Sequence, residues 1–262
     1  MTAAVIATVS ALMLLGESAA PLREVVESKL RRVVRNLSAG GISLAVTNLL
    51  HPLLLLPVVA WAQRERIGLL HLVAWPRWAE MLVAIVLLDY TLWWWHWANH
   101  RVAFFWRFHL VHHVDRDLDT STALRFHFGE LVLSIPVRAL QVIVIGVDAR
   151  SLWLWQTLLF ASILFHHSNV RLPERIERLL LLFIVTPRMH GIHHSDRPED
   201  TNSNWSSLFS AWDFLHRTSR LGVPQESIRI GVPAYDDPHN VTLGKILVLP
   251  FRRQRNDWSR SA

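Results

Sequence analysis

The spacing His-x-x-His-His occurs twice in this chain, at His109/His112/His113 and at His190/His193/His194, and it constrains the fold more than any other feature. Positions i, i+3 and i+4 share one face of an α-helix. Each copy therefore predicts a short helix that aims three imidazoles at one point. His96 and His100, four residues apart, form a third cluster of the same kind. The chain has 15 His in 262 residues. Random placement at that frequency gives the triplet at about 2 in 10,000 positions, so two copies are not accidental. A lone buried His is usually structural. Eight in three clusters point to metal, because neutral imidazole is the commonest transition-metal ligand.

The set is too large for a catalytic zinc, which takes three protein ligands and a water. The zincin pattern H-E-x-x-H is also missing, since Trp97 follows His96. Two metals would use the whole set, and all-nitrogen ligation with open positions suits iron and oxygen chemistry. Soluble di-iron bundles use Glu and E-x-x-H instead. The absence of Cys excludes disulfides, thiolate zinc sites and cysteine-ligated iron–sulfur clusters.

Apolar residues come in long runs separated by basic, polar segments. The expected class is all-α: a polytopic integral membrane protein with about four transmembrane helices and a cytoplasmic, histidine-rich helical cap. Residues 1–15 read as a first membrane anchor, because no Lys or Arg precedes them as a signal peptide requires. Spans are predicted at 41–61, 78–97, 131–147 and 151–165. Residues 22–36 read either as a basic amphipathic segment at the membrane interface or as a solvated helix face, and 179–185 as an apolar run along the membrane surface. Segments 22–36, 99–128 and 171–262 carry five, four and thirteen Lys/Arg, against three and one in 62–77 and 148–150. The positive-inside rule then places every histidine cluster on the cytoplasmic face of a bacterial inner membrane or an ER-like membrane. The formal charge of +6 fits anionic headgroups and not nucleic acid, because the basic residues flank apolar spans instead of forming an aromatic-interleaved patch.

Longer motifs surround the histidines: D-Y-T-L-W-W-W-H-W-A-N-H-R (89–101), W-R-F-H-L-V-H-H (106–113), T-A-L-R-F-H-F-G-E (122–130), H-S-N-V-R-L-P (167–173), T-P-R-M-H-G-I-H-H-S (186–195) and N-W-S-S-L-F-S-A-W-D-F-L-H-R-T (204–218). In this order they resemble the fatty acid hydroxylase/sterol desaturase superfamily of integral membrane di-iron enzymes. The resemblance covers 85–218. It implies a catalytic domain at 81–220, preceded by an anchor and basic interfacial segment (1–80) and followed by a basic C-terminal tail (221–262).

Carried over by residue, the resemblance makes His96, His100, His109, His112, His113, His190, His193 and His194 iron ligands. His167 matches the family's H-S-N histidine, with His166 beside it. His127 matches an R-F-H-P-x-E element, with Phe128 where Pro is usual. Which of His127, His166 and His167 completes the coordination stays open. Asp89, Glu130 and Asp196 are candidate partners for imidazole N–H groups, while Asp115 reads as helix-end charge. The family usually closes with W-D-x-x-F-G-T, whereas Phe214-Leu215-His216-Arg217-Thr218 follows Trp212-Asp213 here. Loss of that Gly predicts a changed turn, and His216 reads as structural or exposed.

The resemblance implies two irons (zinc substituting after overexpression), O2 as co-substrate, and oxidation of an unactivated C–H bond of a lipid from the bilayer. Hydroxylation is the first reading and desaturation the alternative, with fatty acyl chains, sterols, carotenoids and ether lipids all open. A histidine-rich metal transporter and a membrane zinc hydrolase are the rivals from other classes. Arg101, Arg107 and Arg125 are candidate contacts for a phosphate or carboxylate headgroup. Without Cys or a G-x-G-x-x-G fingerprint, electrons must come from an external donor, ferredoxin-like or cytochrome-like. Arg217, Arg220, Arg252, Arg253 and Arg255 offer it a basic docking surface.

Overall fold

A computed structural model describes residues 2–259; Met1 and residues 260–262, at the ends of the predicted anchor and tail, lie outside the described residues. Helix is the dominant secondary structure among the described residues. Its α-helices are α1 (Thr2–Ala19), α2 (Lys29–Leu54), α3 (Leu56–Arg64), α4 (Arg77–Arg101), α5 (Ala103–His113), α6 (Phe128–Ile145), α7 (Ala149–His167), α8 (Glu174–Leu180), α9 (Pro187–His193), α10 (Pro198–Thr201), α11 (Ala211–Leu215) and α12 (Leu243–Val248). Among the described residues β-pairing is limited to two isolated bridges, Pro21 with Val170 and Ser195 with Ile230.

Two stretches among them are long and apolar enough to cross a membrane, Lys29–Leu72 and Phe128–Ile145. The apolar part of α1, Ala4–Ala19, is shorter. Helices α4 and α7, also expected to span, have the length at 25 and 19 residues. Asp89, His96 and His100 in α4 and Gln156, His166 and His167 in α7 dilute their hydropathy.

Local chemistry sets the helix ends that matter for the histidines. His127 caps α6, its Nδ1 accepting from Gly129 N at 2.9 Å. The helix stops at Gly146, whose φ of 82° is left-handed, a conformation glycine adopts without a Cβ penalty. A Cβ on Gly68 would fall 2.2 Å from Gly146 N, so the two glycines let the segment after α3 cross the α6–α7 turn. Asp148 then caps α7, with Oδ1 accepting from Ser151 N at 2.7 Å.

α2 packs on α6, α4 on α5 and α7, and α7 on α1 and α9. One apolar core joins Leu55, Ala84, Leu88, Val142 and Trp155. A second joins Leu110 and Val111 of α5, and Val114 just after it, to Val232, Tyr235, Val241 and Ile246 of the C-terminal region. Each fully buried aliphatic side chain there stabilises by about 1.5–3 kcal/mol. α5 thus turns one face to this core and leaves the other, His109/His112/His113, to face the remaining histidines. The C-terminal region is packed into the fold, supplying six of the ten buried residues of the second core.

The basic segment 22–36 differs from both of its expected readings. Residues 29–36 are the first two turns of α2, and Arg23, Arg32 and Arg35 are 9%, 0% and 9% exposed. Three of the five cations thus point inward while Lys29 and Arg31 stay exposed, and Val26, Leu30, Val34 and Leu37 are all at least half exposed. Asp115 is the hub, not a helix-end charge. It is fully buried and accepts from Arg32 Nη2 (2.9 Å), Arg35 Nη2 (3.2 Å), Asn36 Nδ2 (2.9 Å) and Thr122 Oγ1 (2.9 Å). Arg32 also reaches Asp119 Oδ2 at 2.7 Å. These bonds hold Asp115 far below the usual carboxylate range, against the opposing effect of burial. The network ties α2 to the α5–α6 connection, directly behind the His109/His112/His113 motif.

Candidate metal centre

Nine histidines converge in two groups. The first holds His96, His100, His109, His113 and His193; the second holds His112, His167, His190 and His194. Within each group the candidate ligand atoms all lie within 4.8 Å of one another. Each His-x-x-His-His copy is shared, giving His109 and His113 to the first group and His112 to the second, then His193 to the first and His190 and His194 to the second. The two groups adjoin, with His113 stacked on His194 at a centroid separation of 4.4 Å.

Four of the nine rings are fixed through Nδ1. His109 Nδ1 lies 3.0 Å from Glu130 Oε1, His96 Nδ1 2.7 Å from Trp205 O, His193 Nδ1 2.8 Å from Ser203 O and His167 Nδ1 2.8 Å from Ile163 O. A carbonyl or carboxylate can only accept, so in each case Nδ1 carries the proton and the Nε2 lone pair is free for a ligand role. Asn204, between two of those carbonyls, has a φ of 54°. That left-handed kink, which Asn tolerates better than most residues, turns Ser203 O and Trp205 O toward the rings. Its side chain is held by Met189 O at 3.0 Å and Arg220 O at 2.8 Å. The sequence marked Asn204 only as the start of a motif; its orienting role depends on backbone geometry.

The donor set fits a metal. His113 and His109 face each other through Nε2 at 3.2 Å, and His112–His167, His167–His190 and His190–His194 do so at 2.9, 3.0 and 3.1 Å. Imidazole nitrogens about 2.1 Å from one ion stand about 3.0 Å apart at right angles and about 3.4 Å apart in a tetrahedron. The Nε2 lone pairs therefore meet at ligand spacing, and His100 Nε2 and His193 Nε2 are buried with no protein partner. Burial, then the neighbouring rings, pushes His112, His113, His190 and His194 well below their ordinary pKa, and burial takes His193 to about 3. The neutral, ligating form is thus the resting one.

The remaining candidates lie elsewhere. His127 is outside both groups; besides its cap, its Nε2 is 3.0 Å from Leu247 O. His166 borders the second group, its centroid 4.1 Å from that of His190, without belonging to it. Of the carboxylates, Glu130 meets a histidine. Asp89 Oδ2 accepts from Phe209 N (3.0 Å) and Trp212 Nε1 (2.7 Å), fixing the 204–218 segment to α4. Asp196 lines a surface depression with Arg116, Arg229 and Asp236.

Arg125 is no headgroup contact. It is fully buried and donates to Val111 O at 2.8 Å and Asn36 Oδ1 at 3.0 Å, with burial lowering its pKa to about 10. Arg107 donates to Arg252 O at 3.1 Å, and Arg101 stands over Trp205, 5.3 Å from its centroid. In the turn expected to change, Arg217 takes the glycine's place with a φ of 56°, in the left-handed region that glycine favours. His216 stacks on Trp93 with centroids 4.1 Å apart, a structural role.

The chain is 29% identical over 159 residues to an ornithine lipid hydroxylase of Rhizobium tropici, covering 60% of this chain and 47% of that protein. It is 27% identical over 143 residues to a methylsterol monooxygenase of Arabidopsis thaliana (54% and 48%), and 24% identical over 152 residues to cholesterol 25-hydroxylase of Mus musculus (57% and 50%). The chain thus spans about half the length of these curated relatives. No solved structure matches it. The fatty acid hydroxylase family model matches residues 81–218, which takes in all nine converging histidines, Glu130 and the Ser203–Trp205 carbonyls, and the chain belongs to that family.

Proposed function

We propose that this chain is a membrane-spanning, two-iron, O2-dependent hydroxylase of a lipid. The observation that carries the reading is the pair of adjoining all-histidine groups, five and four strong, on a chain with two helices able to cross a bilayer. When bound, two irons supply the oxidation of an unactivated C–H bond by O2. The protein's residues do the rest. Glu130, Ser203, Trp205 and Ile163 hold four imidazoles in the ligating tautomer. Burial holds His112, His113, His190 and His194 well below their ordinary pKa, and the Asp115 network fixes the helix that carries three of the nine rings. The all-nitrogen donor set favours iron over a hard cation such as magnesium. The names of the relatives, which act on an ornithine lipid and on sterols, support hydroxylation ahead of desaturation.

Four spans with a cytoplasmic cap remain our reading of topology, with α4 and α7 crossing beside α2 and α6. Reducing equivalents come from a separate acidic, one-electron donor; Arg217, Arg220, Arg252, Arg253 and Arg255 are all exposed and able to meet it. The test is metal analysis of the purified protein together with mass spectrometry of lipids from expressing and non-expressing cells. Two irons per chain and a lipid class gaining one oxygen are expected. One zinc per chain with no oxygen uptake would overturn the reading.

A further inference from the structure

Between α8 and the start of α9 a cavity of about 310 Å3 opens beside the second histidine group. Its lining combines two cations, Arg178 and Arg188, with two carboxylates, Glu174 and Glu177, over the apolar side chains of Leu181, Met189 and Leu221. Met189 is the residue before His190. Glu177 is only 6% exposed; burial raises its carboxyl above the ordinary range, against the opposing effects of a hydrogen bond from Thr186 and the positive charges of Arg188 and Arg23. The surface next to the cavity is apolar: Ile176, Leu179, Leu182 and Phe183 are between 48% and 65% exposed, with Arg171 and Arg175 exposed beside them. This ledge is fixed in place, because Ser210 Oγ donates to Leu181 O at 2.7 Å and Val185 N to Leu208 O at 3.1 Å. Exposed aliphatic and aromatic side chains flanked by arginines suit a surface that sits in the headgroup–acyl boundary of a bilayer.

We propose that this cavity seats the headgroup of a zwitterionic lipid, one that carries both an ammonium and an acidic oxyanion, while the α8 ledge rests in the bilayer. The proposal deepens the reading of the chain as a lipid hydroxylase and rests on it. Arg178 and Arg188 take the oxyanion, and Glu174 and Glu177 take the ammonium. A purely anionic headgroup would meet two carboxylates and a purely cationic one two guanidinium groups, so each is opposed by an unpaired like charge. Glu177 contributes most to the choice, because its carboxylate is already out of water and a missing ammonium leaves it without that partner. The acyl chains leave over Leu181 and Leu221 toward the ledge.

The test is calorimetric titration of the full-length protein in a non-ionic detergent with short-chain probes. Dihexanoyl phosphatidylethanolamine carries ammonium and phosphate, Nα-decanoyl-lysine carries ammonium and carboxylate, and dihexanoyl phosphatidylglycerol carries phosphate alone. At least one zwitterionic probe should bind about tenfold tighter than phosphatidylglycerol, the worth of one charge-assisted hydrogen bond. Comparing the two zwitterions shows which oxyanion the arginines accept. Glu177→Gln should remove that preference while phosphatidylglycerol binding is kept or improved. Arg178→Gln, on the exposed side of α8, should weaken every probe. Equal affinity for phosphatidylglycerol and both zwitterions, or zwitterion binding unchanged by both substitutions, overturns the proposal. Binding is read without O2 or reductant, so a protein that binds selectively but never hydroxylates would sink the functional reading alone, and one that hydroxylates without headgroup preference would sink the cavity alone.

Discussion

Glu130 Oε1 sits 3.0 Å from His109 Nδ1, a carboxylate on the first turn of α6 steering an imidazole on α5. Both groups are buried, at 5% and 3% exposure. A buried carboxylate on the far nitrogen fixes the tautomer and makes the ligating nitrogen more basic. Its negative charge also offsets part of the charge of a cation held by neutral rings.

Glu130→Ala should therefore lower metal affinity by about 10–100-fold, the usual cost of losing such a partner. Competition with a chelator of known affinity measures it. Unchanged affinity would mean that Glu130 serves only as a favourable negative charge in the first turn of α6.

The division into two groups makes a stoichiometric prediction. His194→Ala removes a ligand from the four-histidine group, and His96→Ala removes one from the five-histidine group. Each should reduce bound metal from two ions toward one per chain, with the first substitution the more damaging because fewer ligands remain. His127→Ala should keep both ions and cost about 1 kcal/mol of stability through the lost cap. Elemental analysis together with thermal unfolding separates the three, and loss of metal in His127→Ala would return that residue to the ligand set.

Helical periodicity made the eight motif histidines legible in the sequence, because a three-four spacing fixes which side chains share a face. Glu130 was one of three candidate carboxylate partners for the imidazoles, without a spacing to single it out. The choice among His127, His166 and His167 was not legible: it depends on where α7 ends against α9, a tertiary fact. Only the packed structure shows His167 Nε2 reaching His112 and His190 while His166, one residue earlier, lies against the His190 ring without joining the group. The arginines of 22–36 misled for a different reason. Basic residues among Val and Leu look alike whether the charges face headgroups or a buried aspartate, and the three aspartates that capture Arg32 lie more than eighty residues away.

That capture sets a stability prediction. Arg32 and Asp115 are both 0% exposed and 2.9 Å apart. Removing one partner strands the other's charge out of water, which costs about 3–5 kcal/mol for a buried pair. Asp115→Asn should destabilise the protein by this amount, leaving Arg32 to Asp117 and Asp119. Replacing both together, Arg32→Met with Asp115→Leu, should recover part of the loss. Denaturant titration of the single and double variants gives the coupling, and additive losses would show that the pair is not the centre of the network.

The last prediction concerns Arg217, which stands where the family usually has Gly. Its φ of 56° places a side-chain-bearing residue in the left-handed region, at a cost of about 1–2 kcal/mol relative to the right-handed conformation. The surroundings hold it there: Thr218 N donates to Asp213 O at 2.8 Å, and Thr218 Oγ1 to Asp213 Oδ1 at 2.6 Å. Asp213 in turn accepts from Trp93 Nε1, Trp205 N and Ser206 N, so the strained turn is bolted to the segment that orients His96 and His193. Arg217→Gly relieves the strain but adds freedom to the unfolded chain, leaving a net gain of about 0.5–1 kcal/mol. For a chain of this size that raises Tm by about 1–4 °C, with metal content unchanged. Arg217→Ala keeps the Cβ and should leave Tm near that of the unsubstituted protein. If both substitutions moved Tm alike, the guanidinium and not the backbone would be what matters at this position.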